Sequence, residues 1–142
     1  MKGLSAVALY LAMTSLTALC APAQDRAVRA TVPFNFTVGN QTLPAGTYDL
    51  SSPSGSPVLI HISSFEKKVH LMTLGRPDQD PRNHSNVLVF HKYGGEYFLS
   101  DIRSENSSLN VHFPTSKAER RALTQREEAG LFPNDPVLVA FN

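Results

Sequence analysis

Val87-Leu88-Val89-Phe90-His91-Lys92-Tyr93-Gly94-Gly95-Glu96-Tyr97-Phe98-Leu99-Ser100-Asp101-Ile102 reads as two extended runs either side of a Gly-Gly pair. β-branched and aromatic residues fill both runs, and two glycines tolerate the positive φ that a two-residue hairpin turn demands. The stretch therefore predicts an antiparallel hairpin over Val87–Tyr93 and Glu96–Ile102. Outward from it, the same period of two recurs between turn signals.

Upstream, Val32, Phe34, Phe36 and Val38 share one parity of the run Arg29 to Val38. Pro33 lies on the other parity and cannot donate to a ladder, so this run is expected at an edge or bent at that point. Gly39-Asn40 turns the chain, and Leu43-Pro44-Ala45-Gly46 has the residues of a type I turn. Strands are expected over Thr47 to Ser51, with Tyr48 and Leu50 on one face, and over Val58 to Ser63, with Val58, Ile60 and Ile62 inward. Ser52 to Pro57 is a Ser/Pro/Gly loop, Glu66-Lys67-Lys68 a charged turn, and Val69 to Leu74 another strand. Gly75 to Asn86 has no large apolar residue and reads as the longest loop.

Downstream, Ser108 to Phe113 reads as a strand with Leu109, Val111 and Phe113 inward. Ser116-Lys117-Ala118-Glu119 has capping-box form, which starts a helix over about 116–129 that Gly130 ends. Its apolar stripe, Ala118, Ala122, Leu123 and Ala129, is thin, so the helix belongs on a surface. Val137 to Phe141 is a last strand. The expectation is a mainly β fold: a small antiparallel β-barrel or β-sandwich of about eight strands, with one C-terminal surface helix before the last strand. Closure would protect the edges, and Val137 to Phe141 is the natural closing strand.

The start of the chain is of a different kind. Lys2 precedes a nearly uncharged run from Leu4 to Leu19, and Ala21-Pro22-Ala23 supplies small residues at a cleavage position. Residues 1–23 read as a secretory signal peptide cut after Ala23. The apolar run is roughly 16 residues, short of the about 20 that cross a bilayer. Lipid attachment at Cys20 needs a small preceding residue, and Leu19 stands there. Residues 24–142 then form one domain, secreted or periplasmic, without a cysteine and with no membrane span. Without Lys2, 12 Lys and Arg stand against 12 Asp and Glu, so no charge excess points to nucleic acid. An outer-membrane barrel needs strands of about 9–11 residues, longer than these runs of five to seven.

Three blocks occur in order along this domain. They are Val32-Pro33-Phe34-Asn35-Phe36 with Leu43-Pro44-Ala45-Gly46-Thr47-Tyr48; Leu88 to Gly94 with Tyr97-Phe98-Leu99-Ser100; and Ser116-Lys117-Ala118-Glu119-Arg120. Together they resemble a family of small exported proteins found mainly in acidobacterial-type soil bacteria. The resemblance implies a bacterial exported protein and lends no catalytic residues. Members of that family often carry a Gly-Arg-Glu-Leu-Pro-like stretch before the helix. Ser108 to Pro114 stands there instead, so no role tied to those charges transfers.

Catalytic chemistry finds little support. His61, His70, His84, His91 and His112 show no zinc-ligand spacing. No Gly-x-Ser-x-Gly elbow or Ser-x-x-Lys motif with supporting partners occurs, and Asp78 and Asp80 read as turn formers. Gly94-Gly95 lacks the frame of a phosphate loop. Sequons at Asn35, Asn40, Asn83 and Asn106 read as turn chemistry in a bacterial protein. No cofactor, metal or catalytic residue is expected. The reading is a non-catalytic envelope or secreted interaction module with an unidentified partner. Its candidate contacts are Tyr93 and Tyr97 beside the hairpin turn and Arg120 and Arg121 on the helix. The alternative is a β-barrel carrier of a small apolar ligand.

Overall fold

The structure, a computed structural model, describes residues 27–53, 56, 58–80, 85–105, 109–131 and 135–142. The expected signal peptide with Cys20, together with Asn83, His84, Asn106, Ser108 and Phe132, lies outside the described residues. The strands are β1 (Ala27–Val32), β2 (Phe36–Val38), β3 (Gln41–Leu43), β4 (Gly46–Ser51), β5 (Leu59–Ser64) and β6 (Val69–Leu74). They continue with β7 (Arg76–Pro77), β8 (Val87–Tyr93), β9 (Glu96–Arg103), β10 (Val111–His112) and β11 (Val137–Ala140). The single described helix, α1 (Lys117–Glu128), precedes β11. No described helix is long and apolar enough to cross a membrane.

The mainly β expectation is met by two sheets, one of them curved into half a barrel. One has four strands in the order β1-β4-β5-β6. The other, of seven, runs β11-β8-β9-β10-β7 with the β2–β3 hairpin attached to β9. Neighbouring strands pair antiparallel, save β2 and β9, which meet in parallel at Thr37 and Phe98. β6 and β7 are one stretch of chain that passes from the first sheet to the second at Gly75. There the Gly75 amide donates to the Val58 carbonyl at 2.8 Å. At the opposite edges β1 lies close to β11, with no ladder between them.

Several details differ from the sequence expectation; the run Ser108 to Phe113, for one, pairs only at Val111–His112 among its described residues, and Val137–Ala140 pairs with β8 without closing a barrel. The run Arg29 to Val38 is two strands in different sheets, because the chain breaks between Pro33 and Asn35. Asn35 therefore lies between strands, where its side chain accepts from the Ala45 amide at 2.9 Å. Arg76–Pro77, expected as loop, pairs with β10. Val58 is exposed rather than inward, and the strand begins one residue later.

The core lies between the sheets. Ala30, Val32, Tyr48, Leu50, Ile60 and Ile62 come from the first sheet; Leu88, Phe90, Leu99, Ile102 and Val111 come from the second. Aromatic edges join them: Phe36 meets Tyr48 at 5.2 Å and Phe90 at 5.4 Å between ring centres. The buried Tyr48 hydroxyl donates to the Pro44 carbonyl, as a phenol removed from water must. With no cysteine among these residues, burial of this interior is the main source of stability.

A methyl group at position 75 would stand 2.0 Å from Val111 Cγ1, so only glycine lets the chain cross there. Gly75→Ala is expected to destabilise by about 1–3 kcal/mol in urea unfolding. Val111→Ala in the same chain should relieve part of that loss; strictly additive effects would contradict the contact.

Candidate functional site

The hairpin β8–β9 forms as expected, with Gly94 at φ 62°, and its register sets which side chains face outward. Leu88 pairs with Ile102 and Val89 with Asp101, but Phe90 pairs with Leu99, so Ser100 is an extra residue at a bulge. Phe90 and Leu99 still enter the core. Val89, His91 and Tyr93 face the other way with Phe98 and Asp101. Helix α1 packs against β8 on this outer side.

Ser116 caps α1: its side chain accepts from the Glu119 amide at 3.1 Å. The C-terminus closes with Gly130 at φ 69°. The Gly130 amide donates to Glu127 and the Leu131 amide to Arg126, the paired bonds of a Schellman end. Of the expected apolar stripe only Ala122 is fully buried. The other buried residue on that side is Glu119, 5% exposed. The capping box is therefore only half made. The Glu119 carboxylate turns to the hairpin, where Oε1 accepts from His91 Nδ1 at 2.7 Å and from the Tyr93 hydroxyl at 3.4 Å. A carboxylate offers only acceptors, so the proton of this imidazole sits on Nδ1.

Glu119 raises the His91 pKa above its ordinary value, first through the hydrogen bond and then through its charge; Asp101 adds to the rise, and partial burial opposes it. Tyr93 is also raised, by burial first and by Glu119 second. Asp101 makes a second pair: Oδ1 accepts from His112 Nδ1 at 2.8 Å, and Oδ2 accepts from Ser100 Oγ at 2.7 Å. This order places the carboxylate between hydroxyl and imidazole. His112 is thus not placed to take the Ser100 proton, which a nucleophilic serine requires. Among the described residues no three His, Cys, Asp or Glu converge as a metal site.

Tyr93 and Tyr97 lie on opposite faces of the hairpin. Tyr97 stacks on Phe34 with ring centres 3.9 Å apart, against the core, and Lys92 Nζ sits 5.4 Å from its centre. Arg120 and Arg121 stay exposed on α1, where with Lys117, Thr124, Gln125 and Glu128 they line an open groove of about 410 Å³. The structure thus brings Tyr93 to the helix through Glu119 and leaves the two arginines on the solvent side.

Sequence reasoning missed a different surface, the outer face of the four-stranded sheet. Over β1 and β4 that face is polar, with Arg29 gripping Asp49 at 2.7 and 3.0 Å and Thr31 bonded to Thr47. Over β5 and β6 it carries His61, His70, Met72 and Leu74. Met72 is 62% and Leu74 65% exposed, and Phe65, in the β5–β6 turn, is 97% exposed. The even positions of β6 held the signal, but a half-buried strand does not show which parity faces water.

No family model, curated protein or solved structure matches this chain. Its class is the one its own fold defines: a mainly β domain with a helix over one outer face and no described element over the other.

The raised His91 pKa has a definite sign. The protonated ring stabilises the native state fully below its unfolded value, about 6.5, and that contribution is lost as pH rises through the higher folded value. Glu119→Gln is expected to cost on the order of 1 kcal/mol near pH 6, after discounting for the half-exposed ring. The difference from wild type should shrink as pH climbs past the folded value. Urea midpoints across this range, with the His91 ring titration by NMR, test it; a variant penalty that grew with pH would contradict the pairing.

Proposed function

We propose that the protein is an exported, non-catalytic interaction module that docks a protein partner of the envelope or the surrounding medium. The observation that carries this reading is the outer face over β5 and β6, which no described element covers. Scattered exposed apolar residues are ordinary, but neighbours on one open sheet face mark contact surfaces. Leu74 and Met72 supply apolar surface on this face, the exposed Phe65 stands at the turn end of the same hairpin, and the polar half over β1 and β4 supplies a rim.

Export is supported by the leader-like residues 1–23 and by the resemblance to small exported bacterial proteins. The non-catalytic reading is supported by the two described imidazole–carboxylate pairs, in which the Ser100 and Tyr93 hydroxyls donate to the carboxylates of Asp101 and Glu119 rather than to a histidine. The carrier alternative draws less support, because Phe34, Phe36 and Phe90 occupy the interior with ring centres 5.1 and 5.4 Å apart.

Purified processed protein is expected to be retained by envelope or medium fractions of the producing cell. Phe65→Ser with Leu74→Thr should lower retention by roughly tenfold or more, as loss of central contacts does. The urea midpoint should hardly move, because both side chains are exposed. Unchanged retention in that variant would remove the docking reading. Intact mass of the natively purified protein should begin at Gln24; a mass retaining residues 1–23 would remove the cleaved-export reading.

A further inference from the structure

We propose that His61, His70 and Met72 bind a cuprous ion on the outer face of β5 and β6. The register places these side chains together. His61 pairs directly with Met72, and His70 stands opposite Ser63 on the same face. Directly opposed residues have Cβ atoms about 4.5–5.5 Å apart, and long side chains also reach along the diagonal. The two imidazoles do so: their rings lie nearly parallel, 24° apart, with centres 5.8 Å from each other.

That separation suits two ligands of one ion. An imidazole bound through nitrogen at about 2.0 Å holds its ring centre roughly 3.2 Å from the metal. Two such rings on one ion therefore have centres roughly 4.5–6.4 Å apart, depending on the angle between them. The observed spacing falls inside this span.

The donor set selects the metal. No carboxylate joins the pair into a site of three among the described residues, which leaves calcium and magnesium without the oxygen ligands they require. The third donor within register reach is the Met72 thioether, more than half exposed. A thioether is a soft ligand that favours Cu(I) over zinc, and two imidazoles with one sulfur satisfy its low coordination. The site needs neither His91 nor His112, whose Nδ1 atoms are held by Glu119 and Asp101.

The test is an anaerobic titration of the full processed protein with Cu(I) against a chromogenic competing chelator. One equivalent should be withheld from the chelator. His70→Ala or His61→Ala is expected to weaken binding by roughly a hundredfold, at or above the loss seen for supporting residues of metal sites. Met72→Leu, which keeps the volume, should weaken Cu(I) by roughly tenfold and leave Zn(II) binding unchanged. X-ray absorption of the loaded protein should show a copper–sulfur distance that Met72→Leu abolishes. Far-UV circular dichroism of each variant should match the wild type, since these side chains lie outside the core. The Phe65→Ser, Leu74→Thr variant should bind copper normally, which separates this site from the docking reading. No equivalent withheld, or binding that survives the double His61→Ala, His70→Ala change as an adventitious ion only, would overturn the proposal.

Discussion

Gly75 has no side chain because Val111 already occupies the space one would need, and that exclusion is what lets a single strand belong to two sheets. The stretch from Val69 to Pro77 pairs with β5 before this point and with β10 after it. Ile60 and Ile62 of one sheet and Ile102 and Val111 of the other enter the same core, which therefore has two walls instead of one. Before the crossing, the β5–β6 register turns the even positions of β6 outward, onto a face that no described element covers. A chain with no cysteine in residues 24–142 cannot hold two sheets together by a disulfide. Close backbone approach and the Phe36–Tyr48–Phe90 ring contacts do that work instead.

The two outer faces are solved in opposite ways. Over β8 the helix covers the sheet, yet it brings little apolar surface: Ala122 is its one buried aliphatic residue. A helix of 12 residues is marginal alone. Its two capped ends and the Glu119–His91–Tyr93 contact hold it in place. Burying a carboxylate without partners costs several kcal/mol, so this contact fixes the helix at one position along β8. Sliding by a turn would leave Glu119 buried and unpaired. The gain is in specificity of placement more than in net stability.

How much of this was legible in the sequence depended on whether a signal was local. The β8–β9 hairpin was legible because the turn chemistry and the flanking period of two agree over adjacent residues. The helix was legible from Ser116 and Gly130, each acting on its own helix end. The split of Arg29 to Val38 was half legible: Pro33 announced a bend, but not that the two halves join different sheets. Glu119 was read as a capping residue because its spacing from Ser116 fits the box; its partner lies 28 residues away, on a strand whose outward parity depends on a bulge. The contact between His61 and His70 was illegible for a like reason. Neither residue has a ligand-like neighbour in sequence, and only the β5–β6 register makes them adjacent.

Register also explains why Tyr93, Tyr97, Arg120 and Arg121 do not share a surface. Tyr93 and Tyr97 flank one tight turn and are close in sequence. In an antiparallel pair, however, facing depends on parity. Tyr93 pairs with Glu96 and Lys92 with Tyr97, so the two tyrosines fall on opposite faces. One ring packs on Phe34 and stabilises the end of the core; the other leans on the helix carboxylate. The outer face over β5 and β6 obeys the same parity rule with the opposite result. There, one parity sends Leu71 toward the interior and the other leaves His70, Met72 and Leu74 side by side in solvent. A surface on which register aligns two imidazoles, a thioether and a leucine is a stronger basis for recognition than one assembled from sequence neighbours.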